Sequence, residues 1–247
     1  MTQFAHDSVL PDKQSSLSKK EQVENMFNNI SGTYDFLNKF LSLGIDRRWR
    51  KKALMQLASL KPHALLDVAT GTGDMAIQAV KLLHPISVTG IDLSEKMLEL
   101  GKQKVKKEGF NNQIELLKGD SETILFSQYS FDAVTVAFGV RNFEHLEQGL
   151  SEIYRVLKPG GKLVVLEFSK PTSWLIKPFY FTYLKLFCPL AGRFFSKDKT
   201  AYQYLNQSIN KFPEGKNFTR ILDHLGFKNS YLIKLSLGIC TIYCGEK

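Results

Sequence analysis

Cysteine is scarce in this chain: three in 247 residues, an odd number, with no Cys-x-x-Cys among them. A disulfide framework is therefore not expected, and a reducing compartment fits best. No apolar run reaches the ~18 residues that a membrane-crossing helix needs. The first thirty residues are polar and lack the apolar stretch of a secretory signal, so a cytoplasmic location is expected. The five histidines, His6, His63, His84, His145 and His224, show no ligand spacing, and no metal site is expected. Acidic residues are also in short supply, 24 Asp and Glu against 33 Lys and Arg, which leaves a formal charge of +9 at pH 7. That excess points to an acidic partner: nucleic acid, an anionic membrane surface or a negatively charged substrate. With 43% hydrophobic and 23% charged residues the chain is globular rather than disordered, and its length suits one large domain or two small ones.

The positive charge is clustered. Arg47, Arg48, Arg50, Lys51 and Lys52 crowd around Trp49, and Trp174 to Phe195 holds Lys177, Lys185 and Arg193 with no acid. The latter stretch carries eight aromatics in 22 residues. It reads either as a lid packed on the core or as a surface for a lipid tail or the bilayer interface.

Residues 1–18 read as a mobile arm and 19–60 as a helical cap. Apolar residues at Val23, Met26, Phe27, Ile30, Tyr34, Leu37 and Leu41 step by three and four, the spacing of an amphipathic helix, with a break expected near Gly32. A second helix is expected from Asp46 to about Leu60. From residue 61 onward, strands at 64–69, 86–92, 114–117, 131–138 and 162–168 alternate with helices, which implies a parallel sheet covered on both faces. An insertion at 170–212 interrupts the rhythm. Strands at 229–235 and 239–244 follow, joined by a link too short for a parallel crossover, so the expected α/β sheet is mostly parallel with one antiparallel edge strand.

The turn Thr70-Gly71-Thr72-Gly73-Asp74 after the first strand is a nucleoside-loop candidate, because glycines admit close backbone approach and the next helix offers free N–H groups. Asp92 ends the second strand, 21 residues after Gly71, where a carboxylate can accept from both ribose hydroxyls. A nicotinamide dehydrogenase shares these two features. Gly119-Asp120-Ser121 after the third strand, placed to cap adenine, and the antiparallel terminal pair favour another class. Together they resemble a class I S-adenosylmethionine-dependent methyltransferase with a seven-stranded sheet.

Further motifs narrow the resemblance. Tyr34-Asp35-Phe36-Leu37-Asn38 with Ser42 and Trp49, the run Arg155 to Ser169, and Phe138-Gly139-Val140-Arg141-Asn142 are similar to signatures of the ubiquinone/menaquinone biosynthesis C-methyltransferase family. The similarity runs from about Glu21 to the C-terminus. Asp46 stands where that family usually carries His, Leu37 where it carries Met, and Ala137 where some members carry Ser.

The resemblance implies S-adenosylmethionine as cofactor, bound at Thr72, Asp92, Asp120 and Ser121, with Gly71 and Gly73 shaping the loop. It implies C-methylation of a polyprenylated quinol, demethylmenaquinol first and the ubiquinone-pathway substrate as its close relative. Arg141, Asn142 and Tyr34 are the catalytic candidates. Arg141 stays protonated and would stabilise a phenolate or orient water, while His145 reads as a solvent-facing loop residue. Another lipid, a small aromatic or RNA is the alternative substrate, but the basic residues are not interleaved with a base-stacking motif and no nucleic acid is expected. Peripheral contact with the inner, anionic face of a membrane is expected instead. Oligomeric state is not legible.

Overall fold

The computed structural model describes residues 4–42, 44–171 and 199–247. The aromatic stretch Trp174 to Phe195, read above as a lid or lipid surface, lies outside the described residues.

Seven strands form one sheet in the order β3-β2-β1-β4-β5-β7-β6. They are β1 (Ala64–Val68), β2 (Ser87–Asp92), β3 (Ile114–Lys118), β4 (Phe131–Ala137), β5 (Leu157–Phe168), β6 (Lys228–Leu235) and β7 (Cys240–Glu246). The first five run parallel. The reversed strand is β7, antiparallel to both neighbours and lying between β5 and the edge strand β6.

Alternation of side chains sorts the strands into two cores. Leu65, Ala133, Val164, Leu166, Ile242 and both described cysteines, Cys240 and Cys244, point to one face. There they meet α2 (Asp46–Leu54), α3 (Asp74–Leu83) and α4 (Glu95–Lys107). Leu66, Val68, Val134, Val136, Val165 and Tyr243 point to the other. They meet Leu146, Leu150 and Ile153 of α5 (Leu146–Val156) and Phe218 and Leu222 of a late helix (Lys216–His224). Each fully buried aliphatic side chain contributes about 1.5–3 kcal/mol, so this two-faced pattern suffices to hold the sheet closed to water.

Several elements differ from expectation. The cap helix α1 (Lys19–Leu41) runs without a break through Gly32, which is exposed and has nothing within 4 Å of where a Cβ would stand. A lone exposed glycine costs a helix about 1 kcal/mol relative to alanine, too little to interrupt it. Helix α2 ends at Leu54 and gives way to a tighter turn, Met55–Leu57. Strand β5 starts five residues earlier than expected, at Leu157, and takes in the Lys158-Pro159-Gly160-Gly161 run.

Residues 4–18, expected as a mobile arm, lie against the domain. His6 is fully buried, with Phe4 and Phe212 ring centroids 6.0 and 5.8 Å away, and Val9 is buried with Val23, Met26 and Tyr204. Lys19 fastens the arm: its Nζ donates to the carbonyls of His6 (3.0 Å) and Phe143 (2.9 Å). The insertion expected at 170–212 contains the helix Lys199–Lys211, whose Tyr204 belongs to the same small cluster.

Candidate active site

The strand order reverses between β1 and β4, and the crevice outside the carboxyl ends of an open α/β sheet at such a point is where ligands bind. Here the backbone is bent to make the crevice. Ala69 after β1 and Phe138 after β4 both have positive φ, 54° and 60°. Gly139 follows Phe138, and a Cβ there would come within 2.5 Å of the Ala69 Cβ. Non-glycine residues in this conformation are strained, and such strain gathers at ligand sites.

Asp67 anchors the loop after β1 from inside the core. Its carboxylate accepts from the hydroxyls of Thr70 and Thr135, both at 2.6 Å, and burial pushes its pKa up to about 6 against those two bonds. Gly73, at φ 77°, makes the left-handed turn into α3. Asp92 is fixed by backbone donors: Gly71 N–H to Oδ2 at 2.8 Å and Ser94 N–H to Oδ1 at 2.9 Å. A carboxylate has about four acceptor positions, so these bonds leave acceptor capacity for a diol. Burial raises its pKa, opposed by those same backbone bonds.

One cleft joins Gly71, Asp92, Asp120, Ser121, Tyr34 and Asn142. Its roof is α1, which contributes Lys20, Val23, Glu24, Phe27 and Tyr34. The roof is held by polar pairs. Lys20 Nζ lies 2.5 Å from Asp120 Oδ2 and 3.3 Å from Glu122 Oε2. Asn28 Oδ1 accepts from the Ser94 hydroxyl at 2.7 Å. Asp35 accepts from the Thr72 hydroxyl at 2.6 Å and pairs with Lys104 at 2.6 Å. Burial opposes the charge of Lys20, but the two carboxylates prevail and raise its pKa.

Three residues singled out from the sequence stand apart from the cleft wall. Thr72 turns toward α1 and borders a smaller adjoining recess with Arg50, Thr70 and Asp74. Gly73 shapes the turn. Arg141 faces inward: its Nη1 donates to the Phe138 carbonyl and to Glu167 Oε1, both at 2.6 Å, and its guanidinium lies 5.6 Å from the Phe168 ring centroid. His145, taken as a solvent-facing loop residue, is half exposed but has its Nδ1 2.9 Å from Glu122.

Glu122 and Arg50 escaped the sequence reading. Glu122 is buried and accepts from the backbone N–H groups of Glu144 and His145, so it organises the loop that closes the cleft. With Glu144 and His145 it forms a three-ligand cluster whose atoms lie within 4.8 Å, but its oxygens are already engaged by those bonds, by His145 and by Lys20. Arg50, hidden in a basic run, is buried, paired with Asp46 and 3.8 Å from Asp74. It is therefore not part of the exposed charge cluster.

These donors and acceptors fit S-adenosylmethionine: a carboxylate with spare acceptor capacity for ribose, an acid and a serine for adenine, and Arg50 with Asp74 beside the loop for a zwitterionic amino-acid end. Fold and site define a class I methyltransferase. The backbone is similar to a putative S-adenosylmethionine-dependent methyltransferase from Methanococcus maripaludis, with TM-score 0.60 and 18% identity over 96% of this chain and 97% of that one. A possible histamine N-methyltransferase from Thermotoga maritima gives TM-score 0.59 at 20% identity, over 90% and 99%.

The family follows from the sequence. The model of the ubiE/COQ5 methyltransferase family matches residues 15–247, and the chain belongs to that family. It is 48% identical over 229 residues to the demethylmenaquinone methyltransferase of Bacteroides fragilis, covering 93% of this chain and 94% of the relative. It is 45% identical over 230 residues to that of Porphyromonas gingivalis, with 93% and 94% covered. The Geotalea daltonii protein named ubiquinone/menaquinone biosynthesis C-methyltransferase UbiE is 46% identical over 230 residues, with 93% and 97% covered.

Proposed function

We propose that this enzyme methylates a ring carbon of demethylmenaquinol. The observation that carries the reading is a crevice at the sheet's reversal point that places Asp92 and Asp120 beside an apolar end lined by Phe27, Phe138 and Phe143, in a chain 48% identical to demethylmenaquinone methyltransferase.

Bound S-adenosylmethionine supplies an electrophilic methyl group on a sulfonium. Asp92 and the Gly71 loop would hold its ribose, Asp120 and Ser121 its adenine, and Arg50 with Asp74 its amino-acid end. The chain's own work is to align a ring carbon behind the methyl and to exclude water, since orientation and desolvation supply much of the rate of such transfers. Helix α1 provides the exclusion. Asn142 and Tyr34 border the cleft where the quinol ring would lie, and Arg141, on the same turn as Asn142 but paired with Glu167, would orient a ring hydroxyl whose ionisation makes the neighbouring carbon nucleophilic.

The quinol's prenyl tail favours the bilayer, and among the described residues no helix is long and apolar enough to cross a membrane. Peripheral docking is the consistent arrangement. Exposed Arg48, Lys51 and Lys52 of α2 border an apolar groove with Met55 and Leu235, and Lys234 of β6 faces it from the other side.

The deciding experiment supplies purified enzyme with methyl-labelled S-adenosylmethionine and reduced demethylmenaquinol. Label on a ring carbon is expected. Label on oxygen, or none with a folded enzyme that binds the cofactor, overturns the reading.

A further inference from the structure

Three polar atoms around the turn Val140–Asn142 have no hydrogen-bond partner among the described residues: Arg141 Nε, Asn142 Oδ1 and the Tyr204 hydroxyl. They come from two elements. The helix Lys199–Lys211, which carries Tyr204, packs on that turn, and the phenol is close enough to Arg141 and Glu167 to sense both charges. Arg141 and Tyr204 are 6% and 3% exposed, so bulk water does not serve them. Burying a donor or acceptor without a partner is costly, and three such atoms on two elements packed on one another point to a partner they share.

The three atoms are chemically complementary to one particular group. The Arg141 Nε–H only donates, Asn142 Oδ1 only accepts, and the tyrosine hydroxyl can do either. A phenolic oxygen can accept from the first and the third while giving its proton to the second. When the phenol ionises, the guanidinium and the tyrosine O–H still face the oxygen. Asn142 lines the cleft itself. Tyr204 does not line the cleft but is buried in one small cluster with Val23, which belongs also to the cleft wall. Val23 is on α1 beside Lys20, whose partner Asp120 is an acid the cofactor's adenine would engage.

We propose that Tyr204 is a substrate-binding residue, whose hydroxyl joins Arg141 Nε–H and Asn142 Oδ1 in receiving one ring oxygen of the quinol. This rests on the quinol methyltransferase reading and extends it to a residue that no sequence motif above contained.

The test uses 1-naphthol, which has the fused ring and one hydroxyl, and naphthalene, which lacks the hydroxyl. Both are titrated into the parent enzyme and Tyr204→Phe at saturating S-adenosylhomocysteine. Tyr204→Phe should weaken 1-naphthol by roughly tenfold, the scale of one hydrogen bond to a ligand, and leave naphthalene unchanged. The ionisation of bound 1-naphthol, followed by its absorbance, should move to higher pH in the variant. Equal 1-naphthol affinity in both proteins, an equal loss for both ligands, or no 1-naphthol binding by a parent that binds cofactor overturns the inference and leaves the methyltransferase reading standing. A folded parent that binds neither S-adenosylmethionine nor S-adenosylhomocysteine overturns both.

Discussion

The Arg141 guanidinium meets the Glu167 carboxylate at 2.6 Å, with the arginine side chain 7% exposed and the glutamate wholly out of water. Glu167 also accepts from the Phe168 N–H at 2.8 Å, and burial raises its pKa against the pull of Arg141. Breaking a buried pair from one side strands the other charge and typically costs 3–5 kcal/mol. Arg141→Ala should therefore lower the melting temperature by roughly 6–20 °C for a domain of this size. An unchanged melting temperature would show that the pair is not a structural tie. Turnover of this variant is informative only where calorimetry shows it folded, and Arg141→Lys is the better probe because it keeps the charge.

Asp92 supports a second expectation. Asp92→Asn keeps one acceptor oxygen for the loop and gives up charge and half the acceptor capacity toward ribose. Affinity for S-adenosylmethionine should fall by about 1.5–3 kcal/mol, the range for hydrogen bonds to charged groups. Calorimetric titration reads this directly, and undiminished affinity would remove Asp92 from the cofactor site.

The Lys20–Asp120 contact sets up a competition between roof and cofactor. Both side chains are partly exposed, 28% and 20%, so the pair is worth no more than about 1 kcal/mol. Lys20→Met should accordingly raise the association rate of S-adenosylmethionine several-fold at most in stopped-flow measurements. In the parent, added salt should have the same sense, because it weakens the latch. A slower association in the variant would mean that Lys20 assists binding instead of opposing it.

His6 gives the fold an acid limit. Burial, with the nearby Lys19 charge, pulls its pKa from 6.5 down to about 3. The unfolded chain thus binds a proton that the folded one refuses between those values. The sign follows: stability is full above pH 6.5 and is lost as pH falls toward 3, by about 1.4 kcal/mol per unit at most. His6→Phe should flatten melting temperature against pH across that window. The same slope in parent and variant would assign the acid sensitivity to other groups.

What could be read in advance depended on how local each cause was. Leu65-Leu66 and Val164-Val165 declare a strand buried on both faces without help from the rest of the chain. Asp92 and Asp120 were legible because position after a strand in an alternating α/β pattern is itself the signal. The Lys20–Asp120 contact joins residues 100 apart, and nothing near Lys20 marks it as other than a solvated helix residue. Arg50 looked like its basic neighbours because only the fold brings Asp74 beside it. Arg141 stood out by its motif, but its inward orientation depends on Glu167, 26 residues away on a neighbouring strand. Tyr204 carried no signal at all, since its interest lies in having no partner.

The last expectation concerns the groove between α2 and β6. Among the described residues Arg48, Lys51, Lys52 and Lys234 have no acid within 4 Å, and the floor between them is formed by Met55, Ile233, Leu235 and Ile242. Four cations over an apolar trough match an anionic lipid surface, where each is worth about 1 kcal/mol and the attraction fades with salt. The Trp49 Nε1–H donates to the Ser236 hydroxyl at 2.9 Å and so ties α2 to the turn after β6, which keeps the two walls of the groove together. Lys51→Glu with Lys52→Glu should then reduce co-sedimentation with anionic vesicles by at least tenfold at low salt, while binding to neutral vesicles stays weak in parent and variant. Lys106→Glu with Lys107→Glu on α4 removes the same charge from another face and should have a much smaller effect. If the α4 variant loses as much as the α2 variant, the attraction belongs to net charge and the groove is ordinary surface.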